Sequence, residues 1–136
     1  MTAGGSSDRR RLWWPVWGYM VAIFVGSSLP NVPSPPGGLT DKEVHAALYA
    51  GLAAVLLRAL AGGSWRRLTL GRALEAAAVA TLYGVVDEFH QRLVPGRSFE
   101  TMDMIADAAG AALASVVLWT WGIIRPRNPP GTPYVL

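Results

Sequence analysis

The chain has 136 residues, room for one domain, yet 51% of them are hydrophobic and only 15% charged. Soluble domains carry about 25% charged residues, so this composition excludes an ordinary water-soluble globule. The absence of cysteine excludes a disulfide framework and a thiolate metal site. The net charge of +3 is distributed as membrane topology requires and gives no support to nucleic-acid binding.

In chain order, residues 1–11 read as a basic cytoplasmic N-terminus ending in Arg9-Arg10-Arg11. The first apolar run follows, from Leu12 to Leu29. A cleaved signal peptide is the competing reading, with Gly26-Ser27-Ser28 as its small residues, but the run is long for one and contains Trp17 and Tyr19. Pro30 to Gly38 holds four prolines and two glycines and predicts an irregular outer connector. Thr40-x-x-Glu43 fits a capping box opening the next helix. The second span runs from Val44 to Ala61, and Gly62-Gly63-Ser64 starts a cytoplasmic turn. The third, Ala73 to Gln91, is polar at both ends and free of charge only from Ala76 to Val86, so its ends need shielding by neighbouring helices. The fourth, Met104 to Ile124, is interrupted only by Asp107, and Thr101 is the expected cap before it. Residues 125–136, with four prolines, read as a disordered cytoplasmic tail. Spans of about 18–21 residues reach roughly 30 Å, the thickness of the hydrocarbon core. The expected fold is therefore all-α: an integral membrane bundle of four transmembrane helices over residues 12–124.

Orientation follows from the twelve basic residues. Nine fall on the side of the termini, and only Lys42, Arg92 and Arg97 fall on the other. The positive-inside rule then puts both termini in the cytoplasm of a multi-pass protein of the cell membrane. All six tryptophans fall near the cytoplasmic ends, as an interfacial belt would. The acids separate the other way: Asp41, Glu43, Asp87, Glu88, Glu100, Asp103 and Asp107 gather at the outer end. Small residues, among them Ala46, Ala50, Gly51 and the pair Gly110 and Ala114, suit close helix packing.

The acids belong to polar stripes. Asp41, His45 and Tyr49 share one helical face, as do Tyr83, Asp87 and Gln91, and as do Asp103 and Asp107. Ionisable groups near membrane depth are costly, so the stripes should face one another, with Lys42, Arg92 or Arg97 as counter-ions. His90 is offset by about 100° per residue from its neighbours' stripe and is expected at the interface instead. Capping alone accounts for Asp41 and Asp103, but it leaves His45, Asp87, Glu88 and Gln91 unexplained. An internal ion-pair network without a ligand is the stronger structural alternative.

The pattern Asp41-Lys42-x-x-His45-x-x-x-Tyr49, then Asp87-Glu88-x-x-Gln91, then Pro95-Gly96-Arg97, Asp103 and Gly110 resembles the VanZ family of bacterial membrane proteins. The likeness runs from the first span through the fourth. It implies a role in the cell envelope and reduced susceptibility to the glycopeptide antibiotic teicoplanin. Where that family usually has Asn, this chain has Asp107, which adds an ionisable group.

Three functions follow as expectations. The first is recognition of a polar or anionic headgroup at the outer leaflet by Asp41, Lys42, His45, Tyr49, Tyr83, Asp87, Glu88, Gln91, Arg97, Asp103 and Asp107. Its partners would be membrane lipids and a lipid-linked envelope precursor or glycopeptide. The second is acid–base or metal-assisted chemistry on a lipid-linked substrate, with His45 and the carboxylates as base or cation ligands. No zinc-type spacing, serine elbow or phosphate loop accompanies them, and no cofactor is expected. The third is a structural or accessory subunit. The sequence sets no oligomeric state.

Overall fold

Four helices of consecutive antiparallel sense account for most of residues 9–30 and 36–124, the parts of the chain that the computed structural model describes. Helix α1 spans Trp14–Ser27, with a proline in its first turn, where no helical hydrogen bond is lost. Helix α2 spans Asp41–Leu60 and opens on the capping box, the Thr40 hydroxyl and the Glu43 carboxylate each accepting the other's backbone N–H. Helix α3 spans Leu70–Gln91, capped by Thr69, whose hydroxyl accepts the Arg72 N–H. Helix α4 spans Thr101–Ile124. Thr101 is thus its first residue and not its cap, contrary to the sequence expectation. Short 3-10 turns at Pro36–Gly38 and Trp65–Arg67 complete the described elements, which include no strand.

Helices α2, α3 and α4 form the body of the bundle, with the α2–α4 contact the most extensive, and α1 leans on α2 and α3. Glycine sets the closest approaches. A Cβ on Gly110 would overlap the Ala46 carbonyl of α2, and one on Gly51 would overlap the Tyr19 ring of α1. Backbones that touch in this way gain van der Waals contact over their length.

Size is distributed inside out. The buried face carries Ala53, Ala59, Ala73, Ala76, Ala80 and Ala111 beside Leu52, Leu56 and Leu57. Larger apolar side chains, including Val21, Phe24, Leu74, Leu82, Val86, Leu113, Val117 and Ile123, point outward and are half or more exposed or close to it. One end of the bundle gathers the start of α1, the turn at Trp65 and the end of α4: Leu12 lies against Gly63 and Leu68 against Gly122. The tryptophans fall there. At the other end Pro30 meets Gly96, and Lys42 meets Glu100.

Among the described residues two helices, Asp41–Leu60 and Thr101–Ile124, are long and apolar enough to cross a membrane. The other two expected spans are helical but fall short of that standard. Helix α1 has 14 residues, about 21 Å at 1.5 Å per residue. Helix α3 has 22 but includes Arg72, Glu75, Asp87 and Glu88. The sequence expectations for residues 1–8, for 31–35 of the outer connector and for the tail 125–136 lie outside the described residues.

Gly110→Ala should be destabilising, because its neighbour is backbone that cannot rotate away; overpacking of this kind costs about 1–3 kcal/mol. Gly18→Ala, which faces open space, is the control and should leave the thermal midpoint in detergent unchanged or slightly raised. Equal midpoints for the two variants would mean that the α2–α4 crossing is not close.

Candidate functional site

The capping box aims the start of α2 so that Asp41 lies at the rim while His45 and Tyr49, one and two turns further, are buried. Helix α3 brings Asp87, Glu88 and Gln91 inward in its last turns, and α4 brings Asp103 and Asp107 inward in its first two. The three stripes therefore meet at one end of the bundle. Tyr49, Glu88 and Asp107 are at most 1% exposed.

The contacts divide into two linked halves. In the first, His45 Nδ1 lies 2.9 Å from Asp107 Oδ1, and its Nε2 faces Asp103 Oδ2 at 3.8 Å. Lys42 Nζ sits 2.5 Å from both Asp103 Oδ1 and Glu100 Oε2. That ammonium holds Glu100, which lies in the loop before α4, below the usual carboxylate range. Glu88 accepts the Glu100 backbone N–H at 3.0 Å, giving α4 an acceptor at its N-terminus from a different helix.

In the second half, Asp87 accepts from the Ser27 hydroxyl at 2.6 Å and from Gln91 Nε2 at 3.1 Å. The Gln91 carbonyl accepts from Arg97 Nε at 3.0 Å and from a second guanidinium nitrogen. Residues 94–97 form a type II turn: Pro95 precedes Gly96 at φ 82°, and the Arg97 N–H closes on the Val94 carbonyl at 3.1 Å. The turn directs Arg97 back over α3. Gly96 is required twice, for its positive φ and because a Cβ would lie 3.0 Å from the Pro30 carbonyl.

Tyr83 departs from the cluster. Its hydroxyl donates to the Met20 carbonyl of α1 at 2.7 Å, although its ring lies 6.4 Å from that of Tyr49. Arg92 is exposed at the end of α3 and, among the described residues, supplies no counter-charge. His90 stays off the stripe, as its offset predicts; it pins α1 through Ser28 at 2.9 Å and through a stacked Phe24 ring at 4.4 Å. Ser27 was not among the sequence candidates. It sits in an apolar run with nothing nearby to mark it, and only the packing of α1 on α3 brings it to Asp87.

A cavity of about 400 Å³ lies between α1, α2, α3 and the Arg97 turn. Asp41, His45, Asp87, Gln91 and Arg97 line it together with the apolar Ala22, Ile23, Val44 and Leu48. Four buried polar atoms, Tyr49 OH, Glu88 Oε1, Asp107 Oδ2 and Ser115 Oγ, make no hydrogen bond among the described residues. Asp107 Oδ2 instead lies against Gly84, where a Cβ would come within 2.6 Å of it. Of the groups able to hold a metal ion, Asp41, His45 and Asp103 have donor atoms within 4.8 Å of one another.

A family model described as VanZ/LLP1 matches residues 13–124. No curated protein and no solved structure gives a significant match.

Glu88→Ala should lower stability by about 1–3 kcal/mol, since the part-buried Glu100 N–H loses its acceptor. Glu88→Gln keeps a carbonyl oxygen at that position and should recover most of the loss. Unfolding midpoints in detergent check both, and equal losses for the two variants would assign the effect to charge instead of to the hydrogen bond.

Proposed function

The chain belongs to the VanZ/LLP1 family, and from that membership and the cavity we propose a four-span membrane protein that receives a polar lipid headgroup at its outer end. Residues 12–124 form the bundle, and the basic N-terminus and the tail lie in the cytoplasm. The tryptophan end, rich in arginine, faces the cytoplasm, and the acidic end faces outward.

Two features support four spans although only two helices have the full length and apolar character. The charges near the end of α3 point inward: Asp87 and Glu88 are buried, while Leu74, Val79, Leu82, Val86 and Phe89 face outward. Part of its low average hydropathy thus comes from the side away from lipid, and Arg72 and Glu75 lie in its first turns at the opposite end. An exterior of large apolar side chains around an alanine-rich interior is also what a lipid-facing bundle needs, because soluble monomers rarely expose apolar patches larger than a few hundred Å².

The observation that carries the binding reading is the cavity's mixed polar and apolar lining. Its polar residues offer the Arg97 guanidinium to an anionic group, with Asp41 and Asp87 as acceptors for hydroxyl or amine hydrogens. Its apolar residues, on α1 and α2, suit the first carbons of an acyl or prenyl chain. A lipid-linked envelope precursor has both parts, in keeping with the envelope role and the reduced teicoplanin susceptibility that the family resemblance implies. Helix α1, the least embedded of the four, is the wall that a lipid would displace.

Cells expressing Arg97→Ala or His45→Ala should lose teicoplanin protection at unchanged membrane abundance. Native mass spectrometry of the detergent-extracted wild type should show a lipid-sized adduct that Arg97→Ala loses. Full protection by both variants would overturn the reading. Protection that falls only in proportion to abundance would identify the cluster as packing for a structural or accessory subunit.

A further inference from the structure

We propose that Asp41, His45 and Asp103 hold one divalent first-row cation, of the zinc class, at the outer end of the bundle. The starting point is the orientation of His45. His45 is 7% exposed, and its Nδ1 is 2.9 Å from Asp107 Oδ1; in the tautomer that donates the Nδ1 hydrogen to that carboxylate, the Nε2 lone pair is free. This is the arrangement in which an outer carboxylate orients a metal-bound imidazole.

The free Nε2 points at the wrong kind of partner for a hydrogen bond. It faces Asp103 Oδ2 at 3.8 Å, too long for an N–H···O bond, which falls at about 2.7–3.2 Å. Two lone pairs facing each other across that gap repel unless a proton or a metal cation lies between them. A metal bound by both, with each bond about 2.0–2.2 Å, separates its donors by roughly 3–4.2 Å, and 3.8 Å falls inside that range. Asp41, one helical turn before His45, brings the third donor, all three lying within 4.8 Å of one another. Its side chain is exposed and can close the remaining distance.

Charge balance points the same way. Seven carboxylates gather at this end, and four of them, Asp87, Glu88, Asp103 and Asp107, are buried. Lys42 is engaged by Glu100 and by Asp103 Oδ1, leaving Oδ2 of that carboxylate to the cation. Arg97 is turned toward Gln91. Uncompensated buried carboxylates cost several kcal/mol each, and a dication offsets two charges at once. One imidazole with two carboxylates suits zinc, or manganese more weakly, better than calcium or magnesium, which favour all-oxygen sets. Three protein donors leave coordination positions open, and Asp41 and His45 also border the cavity. The cation site does not depend on the headgroup reading.

Full-length protein purified in detergent, stripped with chelator and titrated with zinc chloride should take up one ion per chain by calorimetry and elemental analysis. His45→Ala and Asp103→Asn should abolish uptake. Asp107→Asn should weaken it about tenfold, because an amide oxygen can still orient the ring. Asp41→Asn is the decisive variant: the residue is exposed, so weakening of tenfold or more with an unchanged thermal midpoint cannot come from misfolding. Cobalt substituted for zinc should give visible bands that vanish in His45→Ala. A wild type that binds less than a tenth of an equivalent, or binding that survives unchanged in Asp41→Asn and His45→Ala, would overturn the proposal.

Discussion

Charge removed from water must be met by charge or by hydrogen-bond donors, and at one end of this bundle four buried carboxylates impose that demand together. Each is answered by a residue outside its own helix. Asp87 reaches α1 through Ser27, Glu88 reaches the start of α4, Asp103 reaches Lys42 on α2, and Asp107 reaches His45. The requirement therefore joins all four helices at this end. It also explains why the loop after α3 carries a tight turn that returns Arg97 to Gln91.

The opposite half of the bundle works by contact. There the interior is alanine and leucine. The tightest approach, where Gly110 passes the Ala46 carbonyl, lies beside the polar cluster, next to His45. Gly84 links the two regimes. It gives Asp107 room beside α3, so a polar residue two turns into α4 can turn its carboxylate toward His45. The residue at position 107, usually Asn in the family that the motifs resemble, needs only one acceptor oxygen for His45. Asp supplies that oxygen and adds an ionisable group. The cavity borders the polar cluster and has both polar and apolar residues in its lining.

Much of the candidate site was legible before any coordinates. The spacing Asp41, His45, Tyr49 placed three side chains on one face of a helix whose start was marked by Thr40 and Glu43, and both features are present. Local periodicity and capping depend only on neighbours within a turn or two, so sequence carries them. Other features were not legible. Thr101 looked like a cap but is the first helical residue, because the acceptor for the Glu100 N–H comes from Glu88, twelve residues earlier. Tyr83 shares the stripe of Asp87 yet bonds to Met20, since α1 passes directly over it. The first span reads as a full-length run, whereas its helix is 14 residues long; the third reads as polar at both ends, and at its outer end Asp87 and Glu88 are turned inward.

By itself the sequence determined four helical segments, the separation of arginine and tryptophan from the acids, and the membership of each polar residue in a stripe, because each is a property of spacing along the chain. Tertiary structure alone decided which stripes touch. Whether Lys42 serves Glu100 or Asp87, whether Ser27 is inert or a donor, and which atom of His45 is left free all depend on how the helices are turned and how closely they lie. Those choices are set by where glycine and alanine let backbones meet, and by the need to answer four buried charges at once.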